Sequence, residues 1–311
     1  MARIRWIRAD VVTSCTQRTS ERRFLFKPCP EVRKIIGASA ARAQEKFPVK
    51  LYWLEANTNH IHYGIAPTDD SSEAATRFVR FRQLFNRLVA EEINRLFGKT
   101  GAVFGRPAND IHCLDDESVL SCFYYALTNP VKDGLCDSVA EWEGFSSYVF
   151  QTTDALAEFE YIDRTTWHLE GRRRPLQAYA KTALLLFTPL PGMEKLSDKS
   201  RRAHIAAEVA VREARFFAER RKSGRKAKNA AGRAKIKPMG MPKKRASWTP
   251  CPLCHAATIA AYEAYRVAYR TFLKAYRAAS REYLSGKLLK VFPPSSLRPP
   301  IIRVFSTATA A

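Results

Sequence analysis

Residues 57–67, NTNHIHYGIAP, constrain this chain more than any other stretch. Read as a strand, they alternate faces, so His60 and His62 point to one side while Ile61, Tyr63 and Ile65 point to the other. The apolar row needs a core beneath it, and burying that row holds the opposite face rigid. Two neutral imidazoles side by side on a rigid face are good ligands for one divalent cation. Taken alone, the blander reading is the stronger one: two incidental histidines on a half-exposed strand, since short motifs match by chance.

The second half of the pattern is residues 122–130, CFYYALTNP. Positions four apart on a helix share a face, so Tyr125 and Asn129 are neighbours. Tyr124 is turned away by about 100°, toward Leu120 and Leu127, and is expected to pack. A phenol with an amide oxygen one turn beyond it suits metal-assisted phosphodiester transfer. His60, His62 and Asn129 would hold a divalent ion that polarises the scissile phosphate. The phenolate of Tyr125 would attack phosphorus and store the bond energy as a phosphotyrosine.

These residues resemble a known pattern. His60, Ile61 and His62 resemble the HUH motif (His, bulky apolar, His) of single-tyrosine HUH endonucleases. Residues 125–135, with Trp142, Ser146 and Ser147 behind them, are similar to the signature of REP-associated tyrosine transposases. The glycine-containing passage at 98–106 resembles that family's segment between its long helix and the next strand. The resemblance covers residues 1–150, about half of the chain. It implies an α+β chain with a ferredoxin-like (RRM-like) palm and a Mg²⁺ or Mn²⁺ ion. The implied reaction is cleavage and rejoining of single-stranded DNA beside palindromic hairpins. On this resemblance His60, His62 and Asn129 are metal ligands; Tyr125 is the nucleophile, joined to the 5′ phosphate as a 3′ hydroxyl is freed. One departure is Phe145, which stands where many relatives have Trp directly before the paired serines; Trp142 lies further back, a difference expected to concern packing.

The wider pattern fits such a palm. Residues 4–17 and 49–54 read as strands and residues 110–114 as a further one. Helical spacing covers residues 30–46, 71–97 and 118–128, the last stopped by Pro130. Beyond residue 150 the character changes, and three regions are expected: a helical extension over 151–219, a flexible basic linker over 220–250, and a helical segment with a Pro-rich tail over 251–311. Residues 220–245 carry twelve basic side chains and no acid.

A net charge of +22 points to a polyanionic partner, nucleic acid first. Arg22, Arg23, Arg80, Arg82 and Arg106 are the candidate DNA contacts, and Trp6, Tyr52 and Trp53 are candidates for stacking on bases. No run approaches the roughly 18 apolar residues of a spanning helix, so a soluble, cytoplasmic, nucleoid-associated protein is expected, as monomer or homodimer. Seven scattered cysteines argue for reduced thiols. Cys251, Cys254 and His255 match a haem-attachment spacing, but no export signal precedes them, and as a zinc half-site they lack a second cysteine pair. Residues 98–100 are no phosphate-binding loop, since Ile93 stands where its first glycine belongs. Gly64 rules out a third histidine in the strand. Two other functions share much of the pattern: a non-catalytic binder of DNA or RNA hairpins, and a rolling-circle initiator or relaxase. The latter usually has Lys or a second Tyr where Thr128 and Asn129 stand.

Overall fold

The computed structural model describes residues 4–242 and 252–299. Strand β1 (Val12–Arg18) leads through helix α1 (Pro30–Lys46) to a hairpin of β2 (Lys50–Asn57) and β3 (His60–Ala66). Helix α2 (Ser72–Leu96) returns the chain to β4 (Asn109–Cys113), and α3 (Asp116–Leu127) and the single turn α4 (Asn129–Lys132) follow. Then come α5 (Tyr148–Thr152), β5 (Glu158–Ile162), α6 (Arg164–Leu169) and β6 (Ala180–Leu184). The chain continues through α7 (Asp198–Lys222), α8 (Ala230–Ala234), β7 (Cys254–His255) and α9 (Ile259–Leu284).

The helices start where their sequences supply caps. Pro30 occupies the first turn of α1, where its missing N–H costs nothing. Ser71 Oγ accepts from Ala74 N at 3.0 Å to open α2, and Asp115 Oδ1 accepts from Ser118 N at 2.8 Å to open α3.

The main sheet has strand order β2-β3-β1-β4-β7. Its first four strands pair antiparallel and β7 joins β4 in parallel, so the protein is α+β with a mixed five-stranded sheet. One face buries Ile61, Tyr63, Ile65 and Leu54 with Phe78, Phe81 and Phe85 of α2 and with α1. The other face carries a second cluster, in which Trp53 and Cys113 pack with Phe123, Tyr124 and Leu127 of α3 and Ile205 and Val209 of α7. The register sets Arg18 and Asn57 on either side of His60, and Thr16 and Glu55 on either side of His62. Cross-strand partners share a face, so these six side chains form one patch on the α3 side.

Three expectations change. The first strand pairs only from Val12, because Trp6 and Ile7 are drawn elsewhere: Trp6 stacks on Phe272 of α9 at 5.0 Å. The expected helical extension holds a β5–β6 hairpin. Residues 158–162 alternate, and Phe159 on the inward side presses on α1 where Gly37 leaves room; a Cβ at Gly37 would stand 2.4 Å from that ring. Gln44 fastens the same region, accepting from Leu186 N at 2.8 Å and donating to its carbonyl at 2.9 Å. Within the stretch taken as a basic linker, Arg220 donates to Val131 O at 2.5 Å and pairs with Asp137 at 2.8 Å. Arg233 is buried, donating to Lys228 O at 3.0 Å and Glu141 O at 3.1 Å, and pairs with Glu143. Its residues 243–250, Cys251 of the zinc reading and the end of the Pro-rich tail lie outside the described residues. Among the described residues no helix is long and apolar enough to cross a membrane.

Candidate active site

The β2–β3 hairpin and the α3–α4 junction bring His60, His62, Tyr125 and Asn129 together. The two imidazoles lie edge to face with centroids 4.7 Å apart, and the Tyr125 ring stands perpendicular to His62 at 5.7 Å. His60 Nε2 lies 3.2 Å from Asn129 Oδ1. Thr128 ends α3 and Asn129 opens α4, so this turn aims the amide back at the hairpin while Tyr125, 46% exposed, remains open to solvent.

Hydrogen bonds assign the protons. Asn59 Nδ2 donates to Arg22 O at 3.2 Å, which leaves Asn59 Oδ1 to accept from His60 Nδ1 at 2.8 Å. His60 Nε2 therefore carries a lone pair. Asn57 Oδ1 accepts from Thr58 N at 2.6 Å, so Asn57 Nδ2 must be the donor to Asn129 Oδ1 at 2.5 Å and to Asp133 Oδ2 at 2.9 Å. Asn129 Oδ1 is thus also an acceptor, and two lone-pair atoms face each other at 3.2 Å. His62 Nδ1 bonds Thr16 Oγ1 at 3.0 Å, while its Nε2 is buried with no hydrogen-bond partner.

Both rings are neutral near pH 7. Burial, with Arg18 and Arg22 adding to it, holds His60 down to about 4. Burial and the neighbouring His60 push His62 well below the usual histidine range. Neutral imidazoles with free ring nitrogens beside an amide oxygen are the donor set a hard-to-borderline divalent ion accepts. Ligands at about 2.1 Å from an octahedral ion, 90° apart, stand about 3.0 Å from each other, close to the His60–Asn129 spacing. Among the described residues no three His, Cys, Asp or Glu side chains gather to hold a metal, so a third ligand beside the two imidazoles would have to be the amide of Asn129.

The predicted DNA contacts scatter. Arg22 lies beside the patch, its backbone in the left-handed region (φ 59°) in a turn that Asn59 ties down, and its charge acts on His60. Arg23 pairs with Glu21 and donates to Met239 O at 3.0 Å. Arg80 is exposed on α2, its guanidinium 6.0 Å from the Phe47 ring in the helix layer behind the sheet. Arg106 is exposed, its carbonyl accepting from Gln17 Nε2 at 2.6 Å. Arg82 is no DNA contact. It is 4% exposed, forks onto both oxygens of Asp110 at 2.8 and 2.9 Å, and donates to Tyr63 Oη at 3.0 Å. Trp53 and Tyr52 are buried and Trp6 stacks on α9 aromatics, so none of the three offers a face to a base. Tyr124 packs as expected, beneath the Arg212 guanidinium. Trp142 donates to Ala56 O at 3.1 Å and Phe145 is fully buried, both holding β2 from behind.

Other members of the patch had gone unread. Arg18 is exposed opposite His60, close enough to Tyr125 for their charges to interact. The Lys132 ammonium lies 4.6 Å from the centre of the Tyr125 ring. Glu55, opposite His62, is fully buried with neither carboxyl oxygen hydrogen-bonded. Burial pushes it well above the usual carboxylate range, against the opposing effect of Ser146.

No known family profile matches the chain, and no curated protein does. A solved structure described as a REP-associated tyrosine transposase bound to a REP hairpin aligns with a TM-score of 0.37 at 15% identity, over 49% of this chain and 84% of that one.

Proposed function

We propose that this protein is a single-tyrosine HUH strand transferase that cuts and rejoins single-stranded DNA beside hairpins, built on a ferredoxin-like palm. The observation that carries the reading is the lone-pair contact of His60 Nε2 with Asn129 Oδ1, set beside an exposed tyrosine. Two acceptors facing at 3.2 Å are repulsive unless a cation or a proton joins them. Burial outweighs the Asn129 contact, which by itself favours the proton on His60, and this supports the cation. The strand order β2-β3-β1-β4, with α1 and α2 as crossovers that each skip one strand, supports the palm.

His60, His62 and Asn129 would hold Mg²⁺ or Mn²⁺, which when bound supplies charge stabilisation at the scissile phosphate. Arg18 and Lys132 lie near the phenol and Arg22 near His60, giving the patch a positive charge that suits a phosphodiester. Tyr125 Oη forms a bond to phosphorus as the bond from phosphorus to the 3′ oxygen breaks. The phenol proton passes to water and the freed 3′ oxygen takes one up. Bond count and charge are conserved, so a 3′ hydroxyl returning to the phosphotyrosine rejoins the strand without an external energy source.

The test is incubation of the protein with hairpin-bearing single strands and Mn²⁺. A covalent protein–DNA adduct that Tyr125→Phe abolishes, with hairpin affinity unchanged, is the expected result. Binding without any adduct in the wild-type protein would leave the alternative, a hairpin-binding protein that keeps the fold without the chemistry.

A further inference from the structure

A second cluster of reactive groups lies between α3, β4 and β7. Asp115 clamps two segments there: one oxygen caps α3, and the other accepts from Ala257 N at 2.7 Å just after β7. Leu114 N donates to His255 O at 3.0 Å, and β7 runs beside β4 with His255 opposite Cys113. His255 is thereby carried close enough to Cys122 on α3 for its charge to act on that sulfur. The Cys113 thiol donates to Cys122 Sγ at 3.5 Å. Cys113 is buried at 2% exposure, whereas Cys122 is half-buried and open to small solutes.

We propose that Cys122, Cys113 and His255 form a peroxide-sensitive dithiol site, with Cys122 as the attacking sulfur and Cys113 as the resolving one. A structural cysteine behaves as a small apolar side chain. Cys122 instead accepts from the Cys113 thiol, with His255 and Ser14 near enough to favour its ionised form, the surroundings of a thiolate. The Cys113 hydrogen bond and His255 lower Cys122, while the same contact and burial push Cys113 up. Exposure divides the labour between the two sulfurs: peroxide can reach the half-buried one, and the buried one is sheltered beside it.

The chemistry closes. The Cys122 thiolate attacks a hydroperoxide, the O–O bond breaks, and a proton from water completes the leaving alcohol or water as the sulfur becomes a sulfenic acid. Cys113 then attacks that sulfur, its thiol proton leaving with the hydroxyl as water, and a disulfide remains. Two electrons pass from the two thiols to the peroxide. Closing the sulfurs from 3.5 Å to about 2.05 Å draws α3 toward β4. Tyr125 stands three residues along the same helix, so the bond would tie the helix that carries the phenol to β4.

Reduced full-length protein is treated with one equivalent of hydrogen peroxide, alkylated, and read by intact mass and peptide mapping; no DNA is present, so the result is independent of the strand-transfer reading. Expected are a loss of two hydrogens, a linked Cys113–Cys122 peptide pair, and a dimedone-trapped sulfenic acid on Cys122 in Cys113→Ser. His255→Gln is expected to slow oxidation roughly tenfold, as a less ionised thiol reacts more slowly. Wild-type protein in which these two thiols stay reduced while Cys29 or others oxidise would overturn the proposal, whatever the variants do. Oxidation of folded His255→Gln at the wild-type rate would overturn the role of the imidazole.

Discussion

Asn57 holds Asn129: the amide of one donates to the oxygen of the other at 2.5 Å, across the gap between the hairpin and the α3–α4 turn. This contact fixes which atom Asn129 presents to His60. Asn57→Ala frees the amide to rotate, and losing such a supporting contact typically costs 10–100-fold in metal affinity or activity, about that range being expected here. The check is the Mn²⁺ concentration giving half-maximal adduct, which is expected to rise while hairpin affinity holds. An unchanged Mn²⁺ requirement would separate Asn57 from the site.

Glu55 sets a pH dependence of stability. Its folded pKa is raised by burial, so the folded chain holds this proton more tightly than the unfolded one. Its contribution is complete below the unfolded value of about 4.3 and is lost as pH climbs toward the raised folded value. Thermal melts from pH 4.5 to 8 are expected to show the wild type losing Tm with rising pH more steeply than Glu55→Gln. Parallel curves would mean Glu55 does not titrate differently on folding.

Arg82 and Arg18 are expected to fail in opposite ways. Arg82→Ala removes the buried guanidinium from Asp110, leaving the more exposed Arg5 at 3.1 Å, and breaking a buried pair costs about 3–5 kcal/mol. Denaturant melts should show that loss. Arg18→Ala should leave stability within about 0.5 kcal/mol of wild type and flatten the salt dependence of single-strand binding by about 0.7 in log–log slope. Equal effects of both on DNA binding in folded protein would contradict the assignment.

Gly64 is the point at which the face with the histidines cannot accept a side chain. A Cβ there would stand 2.2 Å from the fully buried ring of Trp53. Gly64→Ala is expected to cost about 1–3 kcal/mol by overpacking, measured by chemical denaturation. A change below about 0.5 kcal/mol would mean the indole yields.

The site was legible where one element supplied the pattern. His60 and His62 follow from the two-residue period of β3, and Tyr125 and Asn129 from one helical turn. Arg18, Asn57 and Glu55 join the patch only through pairing between strands, and no local pattern encodes which residue faces which. Arg82 carried a usable signal that its charge obscured. It lies four residues after Phe78 and three before Phe85, on the buried stripe of α2, so helical spacing alone placed it inside. The β5–β6 hairpin was missed because strands of five residues are too short to display a period against a helical background. Their stability comes from contacts with α1, more than a hundred residues earlier in the chain.

The two residues of β7 do more than lengthen a sheet. By lying along β4 they occupy amide and carbonyl groups that would otherwise invite a strand from another molecule. The Trp6 ring is likewise sheltered by residues near the far end of the chain. A fragment ending near residue 150 would therefore retain every proposed catalytic side chain yet expose an unpaired border and an indole to water, and such a fragment should aggregate more readily than the whole chain.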